Sequence, residues 1–464
     1  MKIIIIGAGP GGYEAAAEAV KRGLDVTLIT EGPLGGTCLN EGCIPTKTFC
    51  HAVESPGDKD IAQIQVRKNE VVSQLQAGIN TLLKKVDVVY GHAELIDNHN
   101  VRVSARRLPS QTENLGRGLA GQSADAETTQ RGLAGQSADA ETTVYTADKI
   151  IIATGSVSAS LPIEGAELAV TSKEMLELTE VPKRLCIIGG GVIGLEFASI
   201  YKALGSDVSV LEYCPGILPR FDADLAKRLK ASLSKQGIAI ETSAQVKAIA
   251  KGDNGLVVKY LKKEAEQAVE ADLVLMAVGR RPNTAGLGVD ALGLEMNRAA
   301  IKVDGNMQTS VPDVYAVGDV TGGIMLAHYA SAQGKRALNH ICGESDKIRF
   351  DICPAVVFTT PEVATVGLTE EDCKAAGIAF TSHKSFYRAN GKAVSMGETD
   401  GYCKVLAEDG SGKILGAHIL GTHAADLIAE VAALMNFNAT LADAADIIHA
   451  HPTLSEIVQS AVNQ

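Results

Sequence analysis

The stretch Ile3-Ile4-Ile5-Ile6-Gly7-Ala8-Gly9-Pro10-Gly11-Gly12 decides how this chain folds. Four consecutive isoleucines suit a strand buried on both faces, and the glycines that follow stop it sharply. Residues 13–21 then read as an Ala-rich helix, Gly23 suits its C-terminal cap, and residues 25–30 alternate as a second strand that ends at Glu31. This is one strand–helix–strand unit. It recurs downstream: an apolar run at 185–188, Gly189-Gly190-Gly191-Val192-Ile193-Gly194, a helix to Leu204, the cap Gly205, and a strand over 208–211 that ends at Glu212.

A lone G-x-G-x-x-G is a weak signal. Here each copy follows a strand, opens a helix and is trailed by an acid 19 or 18 residues after its last glycine. Glycines at Gly7, Gly9 and Gly12, and again at Gly189, Gly191 and Gly194, let a pyrophosphate approach the backbone, while the helix start supplies N–H donors and a favourable dipole. Glu31 and Glu212 are placed to accept from a ribose hydroxyl. Two dinucleotides are implied. At the second site the acid would repel a 2′-phosphate and no arginine follows until Arg220, so NAD is expected over NADP. Further apolar runs stop at Thr154-Gly155, at Gly279 and at Gly318-Asp319, which puts a row of glycines at the carboxyl edge of parallel sheets. After about Lys347 the texture changes to alternating strands and an Ala-rich helix. The fold class expected is therefore α/β, two Rossmann-like doubly wound nucleotide-binding domains with a C-terminal α+β domain.

Composition narrows the partners. The chain has 464 residues, 46% apolar and 21% charged, with a net charge of −12. Nucleic acid and anionic lipid surfaces are repelled by such a balance. No uncharged apolar run approaches the ~18 residues of a spanning helix, and Met1-Lys2 leads into only four isoleucines, so a cytoplasmic chain is expected. One segment is different in kind. RGLAGQSADAETT at 117–129 repeats verbatim at 131–143, a polar unit that cannot build a core. A solvated insertion is expected there, leaving a strand near 100–104 and returning near 144–146.

Nine cysteines do not make a disulfide scaffold in a chain of this length, so most should be reduced thiols. The pair in Gly35-Gly36-Thr37-Cys38-Leu39-Asn40-Glu41-Gly42-Cys43-Ile44-Pro45-Thr46-Lys47 is the exception. Five residues of straight helix rise ~7.5 Å, beyond the ~4.4–6.8 Å of a disulfide's Cα atoms, so a Cys38–Cys43 bond needs bent backbone. Gly42 permits the bend. Pro45 fits the first turn of a helix that continues past Lys47, which sets Cys43 beside a helix start where a thiolate is stabilised. Cys50, Cys186, Cys214, Cys342, Cys353, Cys373 and Cys403 stand singly and are assigned to packing. Near the end, His449-Ala450-His451-Pro452-Thr453-Leu454-Ser455-Glu456 reads as a helix started by Pro452 with Glu456 one turn in. His451 held by Glu456 suits thiol proton transfer, and a helix-capping histidine fits the motif equally well. His449 reads as a bystander.

Taken together, GGTCLNEGCIPTK, GGGVIGLEFASIYKALGSDVSVLE, GRRPN, VYAVGD, MLAHYASAQG and HAHPTLSE stand in the order found in the pyridine nucleotide-disulfide oxidoreductases, which the whole chain resembles. It is most similar to the members that oxidise dihydrolipoamide. The resemblance implies FAD on the first fold, NAD on the second and a C-terminal dimerisation domain. In domain terms it implies a first FAD-binding segment over 1–156 that carries the insertion at 117–143. An NAD-binding domain over 157–275 follows, then a second FAD segment over 276–346 and a dimerisation domain over 347–464.

By the same resemblance, Cys38 attacks substrate and Cys43 contacts the flavin. Lys47 lies near the flavin paired with Glu196, Asp319 holds the ribityl and phosphate region, and Met325, Leu326, Ala327 and His328 bring donors to the flavin. Further FAD contacts are implied at Thr37, Ala93, Thr154, Gly155 and Ser156, and NAD contacts at Val192, Ile193, Val246 and Gly279. His451 and Glu456 would reach the disulfide of the other subunit, which makes a homodimer obligatory. The implied partner is a lipoyl-bearing carrier, from a 2-oxoacid dehydrogenase complex or the glycine cleavage system. Two features depart from the family pattern, Glu41 where an apolar residue is common and the tandem insertion.

The expected reaction is exchange of a dihydrolipoyl group with the Cys38–Cys43 disulfide, His451 taking the proton, with the electrons passing by way of FAD to NAD⁺. A glutathione-type reductase would favour basic residues after Glu212 and usually lacks Leu454. A mercuric reductase would carry a C-terminal cysteine pair, and no cysteine follows Cys403. A flavin-dependent NADH sensor without turnover would have little use for Cys38, Cys43 and His451 together.

Overall fold

The computed structural model describes residues 1–54, 57, 59–105 and 142–464. The tandem insertion lies outside these residues except for Thr142 and Thr143, which belong to the strand Thr142–Thr146. The chain divides into two compact units: Met1–Asn40, Ser73–Val157 with Arg281–Lys347, and Glu41–Val72, Ser158–Arg280 with Ile348–Gln464.

The first unit is built on a seven-stranded sheet. Its order is Val314–Ala316, Lys149–Ile152, Lys2–Ile6, Asp25–Thr30, Asp87–Leu95, Asn100–Ala105, Thr142–Thr146. The first five strands pair in parallel and the last three form an antiparallel meander. Ile3, Ile4 and Ile5 are 0% exposed, as a central parallel strand covered on both faces demands. Asn100 pairs with Thr146 and Ser104 with Thr142, so the two strands expected to flank the insertion do run together. The helix of the first motif spans Pro10–Lys21 and starts three residues earlier than the Ala-rich pattern indicated. Proline is tolerated at a first helical position, and close packing of Gly12 on the preceding turn fixes the glycines in helical geometry.

Among the described residues, the second unit is built on three sheets. A parallel four-stranded sheet runs Ala239–Thr242, Asp207–Glu212, Arg184–Ile188, Leu273–Met276, beside an antiparallel one of Ala244–Gly252, Gly255–Lys262 and Ala265–Ala271. The third is antiparallel, in the order Ala355–Val357, Val363–Gly367, Ile414–Leu420, Tyr402–Glu408, Phe380–Phe386, with the helix Ala424–Asn436 against it. Glu41–Val72 groups with this unit rather than with the first nucleotide fold. The reason is apolar packing: Phe49, Cys50 and Val53 of the helix Cys43–Glu54 share one core with Leu195, Phe197, Ile200 and Tyr201. Among the described residues no helix is long and apolar enough to cross a membrane.

Candidate active site

The two glycine loops divide labour between their glycines in the same way. A Cβ on Gly7, whose φ is +109°, would stand 2.2 Å from Ala153 O, and one on Gly12 would stand 1.8 Å from Gly7 O. A Cβ on Gly9 would meet nothing within 4 Å. In the second loop the matching distances are 2.3 Å from Gly189 to Ala277 O and 2.1 Å from Gly194 to Gly189 O, and Gly191 is again open. The outer glycines permit the turn and the helix–strand contact, and the middle one leaves a cradle at a helix start. Gly9 and Gly191 are N-caps without a side-chain cap, so the first-turn amides, Val192 and Ile193 included, can serve a pyrophosphate. The residues present therefore fit a dinucleotide at both loops.

The acids after the second strands are held differently. Glu31 is half exposed and its Oε1 meets Nδ1 of His92. Glu212 is buried at 8% exposure, with Oε2 accepting from Gly190 N and Oε1 from Cys214 N, each at 2.6 Å. Each carboxylate oxygen has two lone-pair directions, so Glu212 can brace its own glycine loop and still accept from a ribose.

The remaining expected cofactor contacts fall at strand and helix ends, with exceptions. Thr154 Oγ1 donates to Asn283 O at 2.6 Å, Ser156 Oγ donates to Asp319 Oδ2 at 2.5 Å, and Gly318 N donates to Gln333 Oε1 at 2.7 Å. Gly155 and Gly279 have φ of +72° and +115° and no atom near a Cβ position. Met325 and Leu326 lead into the helix Ala327–Ile341, where Leu326 is an N-cap without a side-chain cap and Ala327 and His328 form the first turn. Thr37 lies in the helix Gly36–Glu41. Ala93 and Val246 are 5% and 8% exposed within apolar cores, which leaves mainly their backbones to touch a ligand.

At the cysteines the helix breaks where Gly42 stands. One helix ends at Glu41 and the next runs Cys43–Glu54, so Cys43 opens it and Cys38 lies inside the preceding one. Thr46 donates to Gly42 O through both N, at 3.0 Å, and Oγ1, at 2.7 Å, which ties down the first turn. Cys43 is exposed and Cys38 partly so. One turn beyond Cys43, Lys47 Nζ donates to both oxygens of Glu196, at 2.9 and 2.8 Å, and sits 4.7 Å from the centre of the Phe358 ring. Burial opposes the Lys47 charge, but Glu196 overrides it and holds the amine above its ordinary value.

Phe358 escaped the sequence reading, being one aromatic in an apolar run without a motif. Its N donates to Glu196 Oε1 at 3.0 Å and its O accepts from Cys50 Sγ at 3.3 Å. Burial, then the Glu196 charge, pushes the Cys50 thiol well up, which suits a packing role. Cys186, Cys373 and Cys403 are also buried, whereas Cys214, Cys342 and Cys353 are only partly so. Glu41, the departure from the family pattern, pairs with Lys173 Nζ at 2.6 Å.

At the far end of the sequence, His451 Nδ1 lies 2.8 Å from Glu456 Oε1, and Glu456 Oε2 accepts from Thr453 N at 2.8 Å. The helix here spans Glu456–Val462, so Pro452 does not start it and Glu456 is its first residue. That correction follows from Glu456 itself, whose carboxylate reaches back to cap Thr453 and hold the ring. The Thr453 amide, then His451, keep Glu456 below the usual carboxylate range. His451 is 77% exposed, while the side chain of His449 is 5% exposed and lies 2.7 Å from Glu430 Oε1.

Two pyrophosphate cradles in one chain, with a cysteine at the head of a helix, define a nucleotide-dependent thiol oxidoreductase. The chain belongs to the pyridine nucleotide-disulphide oxidoreductases: the family model matches residues 1–334 and that of the family's dimerisation domain matches 353–462. It is 38% identical to a dihydrolipoyl dehydrogenase of Geobacillus stearothermophilus, over 99% of this chain and 94% of that one. Among solved structures it is similar to the HOCl-induced flavoprotein disulfide reductase RclA of Escherichia coli, with 30% identity, a TM-score of 0.84, and coverage of 100% and 99% of the two chains. LpdA of Mycobacterium tuberculosis has 28% identity, a TM-score of 0.86, and coverage of 100% and 99%.

Proposed function

We propose that the protein oxidises a protein-bound dihydrolipoyl group to its disulfide and reduces NAD⁺ to NADH, as a dihydrolipoyl dehydrogenase. The observation that carries this reading is the His451–Glu456 pair. With Nδ1 engaged by Glu456 and the ring largely exposed, Nε2 is the nitrogen left to take a thiol proton.

In this reading His451 removes a proton from one dihydrolipoyl thiol, and the thiolate attacks Cys38 of a Cys38–Cys43 disulfide. The sulfur–sulfur bond breaks and Cys43 leaves as thiolate, stabilised by the helix start it occupies and by Lys47 one turn away. The second dihydrolipoyl sulfur then attacks the mixed disulfide, lipoyl disulfide departs, and Cys38 keeps the electron pair of that bond. FAD on the first fold, held by the Gly7–Gly12 loop, Glu31 and Asp319, supplies the two-electron chemistry that links this dithiol to NAD⁺. Glu196 keeps Lys47 charged and in place, and Glu212 favours NAD⁺ over its 2′-phosphorylated form.

The same proposal includes a homodimer, formed through the dimerisation domain, in which His451 serves the disulfide of a second copy. It also includes a lipoyl-bearing carrier, from a 2-oxoacid dehydrogenase complex or the glycine cleavage system, and a cytoplasmic setting. The test is turnover of free dihydrolipoamide with NAD⁺ and with NADP⁺. Turnover with NAD⁺ supports the reading. NADH-dependent reduction of some other disulfide, with dihydrolipoamide inert, moves the protein to another reductase of the family.

A further inference from the structure

Glu31 and His92 make a contact that the nucleotide fingerprint does not require. Glu31 follows the strand Asp25–Thr30 and His92 lies in the adjacent strand Asp87–Leu95. Oε1 of Glu31 meets Nδ1 of His92, and Nε2 of the same ring stands 3.0 Å from the carbonyl oxygen of Gly286. Both ring nitrogens thus face acceptors. A neutral imidazole carries one N–H and can satisfy only one of them, whereas the imidazolium satisfies both. The Gly286 turn is shaped around the ring: its φ is +71°, and a Cβ there would stand 2.7 Å from His92 Cε1. The other charges nearby are Glu94 on the same strand and Arg102 on the next one, which are paired with each other at 2.8 Å. Ser104 is the residue paired opposite His92.

We propose that His92 is a positioning residue for FAD: as the imidazolium it fixes Glu31 through Oε1, so that Oε2 is presented to the adenosine ribose. This rests on the reading that the first fold binds FAD, for which the open cradle at Gly9 is the structural support. Burial works against the His92 charge, but Glu31 and Gly286 outweigh it and hold the ring above its ordinary value. The sign follows: the clamp is complete at low pH and is lost as pH rises through that raised value.

The test is FAD retention by the full-chain holoprotein on serial dilution, read from the fluorescence of released flavin. Wild type, His92→Gln, His92→Lys and Glu31→Gln are compared at about pH 6.5 and about pH 9, on either side of the histidine range. For a half-exposed ion pair the expected weakening of wild type at the higher pH is about threefold in Kd. His92→Gln and Glu31→Gln should be weak at both pH values, and His92→Lys, which keeps a cation, should be tight at both. A wild type that retains FAD while His92→Gln matches it in Kd and pH profile overturns the inference alone. So does loss of FAD in His92→Gln without loss in Glu31→Gln. A wild type that retains no FAD at either pH overturns the reading of the first fold itself.

Discussion

Lys47 and Glu196 are 149 positions apart in sequence, yet both carboxylate oxygens of Glu196 accept from Lys47 Nζ, at 2.9 and 2.8 Å. Glu196 is buried, its side chain 4% exposed, and Lys47 retains 32% exposure. The pair joins the helix that Cys43 opens to the helix of the second glycine loop, Val192–Ala203. A cation is thereby fixed one turn from Cys43.

Glu196→Gln should destabilise the protein more than the double variant Lys47→Met/Glu196→Gln does. Removing one partner of a buried pair costs ~3–5 kcal/mol because the other charge is stranded; partial exposure of Lys47 brings the expected loss nearer ~2 kcal/mol. Replacing both groups removes the stranded charge. Denaturant unfolding of the three proteins checks this, and a double variant less stable than Glu196→Gln would show that the ion pair is not what holds the two helices.

Cys38→Ser should abolish dihydrolipoamide turnover and retain a long-wavelength absorbance from a Cys43 thiolate against the flavin, while Cys43→Ser should lose that band. The asymmetry comes from the break at Gly42, which puts only Cys43 at the first position of a helix. Visible spectra of the two purified variants decide it, and the reverse pattern would exchange the roles of the thiols.

Glu212→Ala should lower the preference for NAD⁺ over NADP⁺ by about tenfold or more, since hydrogen bonds to a charged group are worth ~1.5–3 kcal/mol. The structure adds a second consequence. Glu212 also accepts from the amides of Gly190 and Cys214, so Glu212→Ala should lose thermal stability, and Glu212→Gln, which keeps one acceptor oxygen, should lose less. Kinetics with both nucleotides and melting curves test the two effects separately.

His451→Gln should slow reduction by dihydrolipoamide by about 10² or more and leave reduction of the flavin by NADH unchanged. Glu456→Gln should act in the same direction but less, because a Gln can still accept from Thr453 while losing the charge that steadies His451. Stopped-flow measurements of each half-reaction report this. Equal slowing of both halves would make His451 structural.

The two nucleotide folds were legible because local patterns encode them: buried isoleucines, a glycine at each forced turn, an acid at each strand end. The helix break at Gly42 was legible for the same reason. Phe358 was not, since its role is to offer a backbone N–H to Glu196 and a carbonyl to Cys50, and main-chain groups leave no trace in residue identity. Nor was His92, whose only cue is a position in the strand beside Glu31. The start of the last helix was misplaced because Pro452 is a common first helical residue, and only the reach of Glu456 back to Thr453 moves the start to 456.

A cluster outside the nucleotide and cysteine sites sets the last prediction. Lys404 and Asp222 are both 0% exposed, and Lys404 Nζ donates to Asp222 Oδ1 and Oδ2 at 2.6 and 2.7 Å and to Glu370 Oε1 at 2.9 Å. Asp222 also caps the helix Ala223–Lys235 through Leu225 N, so one carboxylate ties that helix to the strand Tyr402–Glu408. Burial opposes ionisation of Asp222, but the hydrogen bond and charge of Lys404, with the Leu225 amide, overcome it and hold the carboxyl below its ordinary range. A carboxyl lowered in this way contributes stability above its unfolded value near ~3.9, and that contribution is lost as pH falls through the lower folded value. Asp222→Asn keeps a capping side chain but leaves the Lys404 charge with Glu370 at 2.9 Å and Asp224 at 4.0 Å beside it, so a loss of ~3 kcal/mol is expected at neutral pH. The gap from wild type should begin to narrow once the pH drops below ~4, where the unfolded wild-type chain takes up a proton on Asp222 that the folded protein still excludes. Denaturant unfolding of both proteins at neutral pH and at about pH 3.5 measures the gap. A gap that is absent at neutral pH, or that widens in acid, would mean that the Lys404–Asp222 pair does not stabilise the fold.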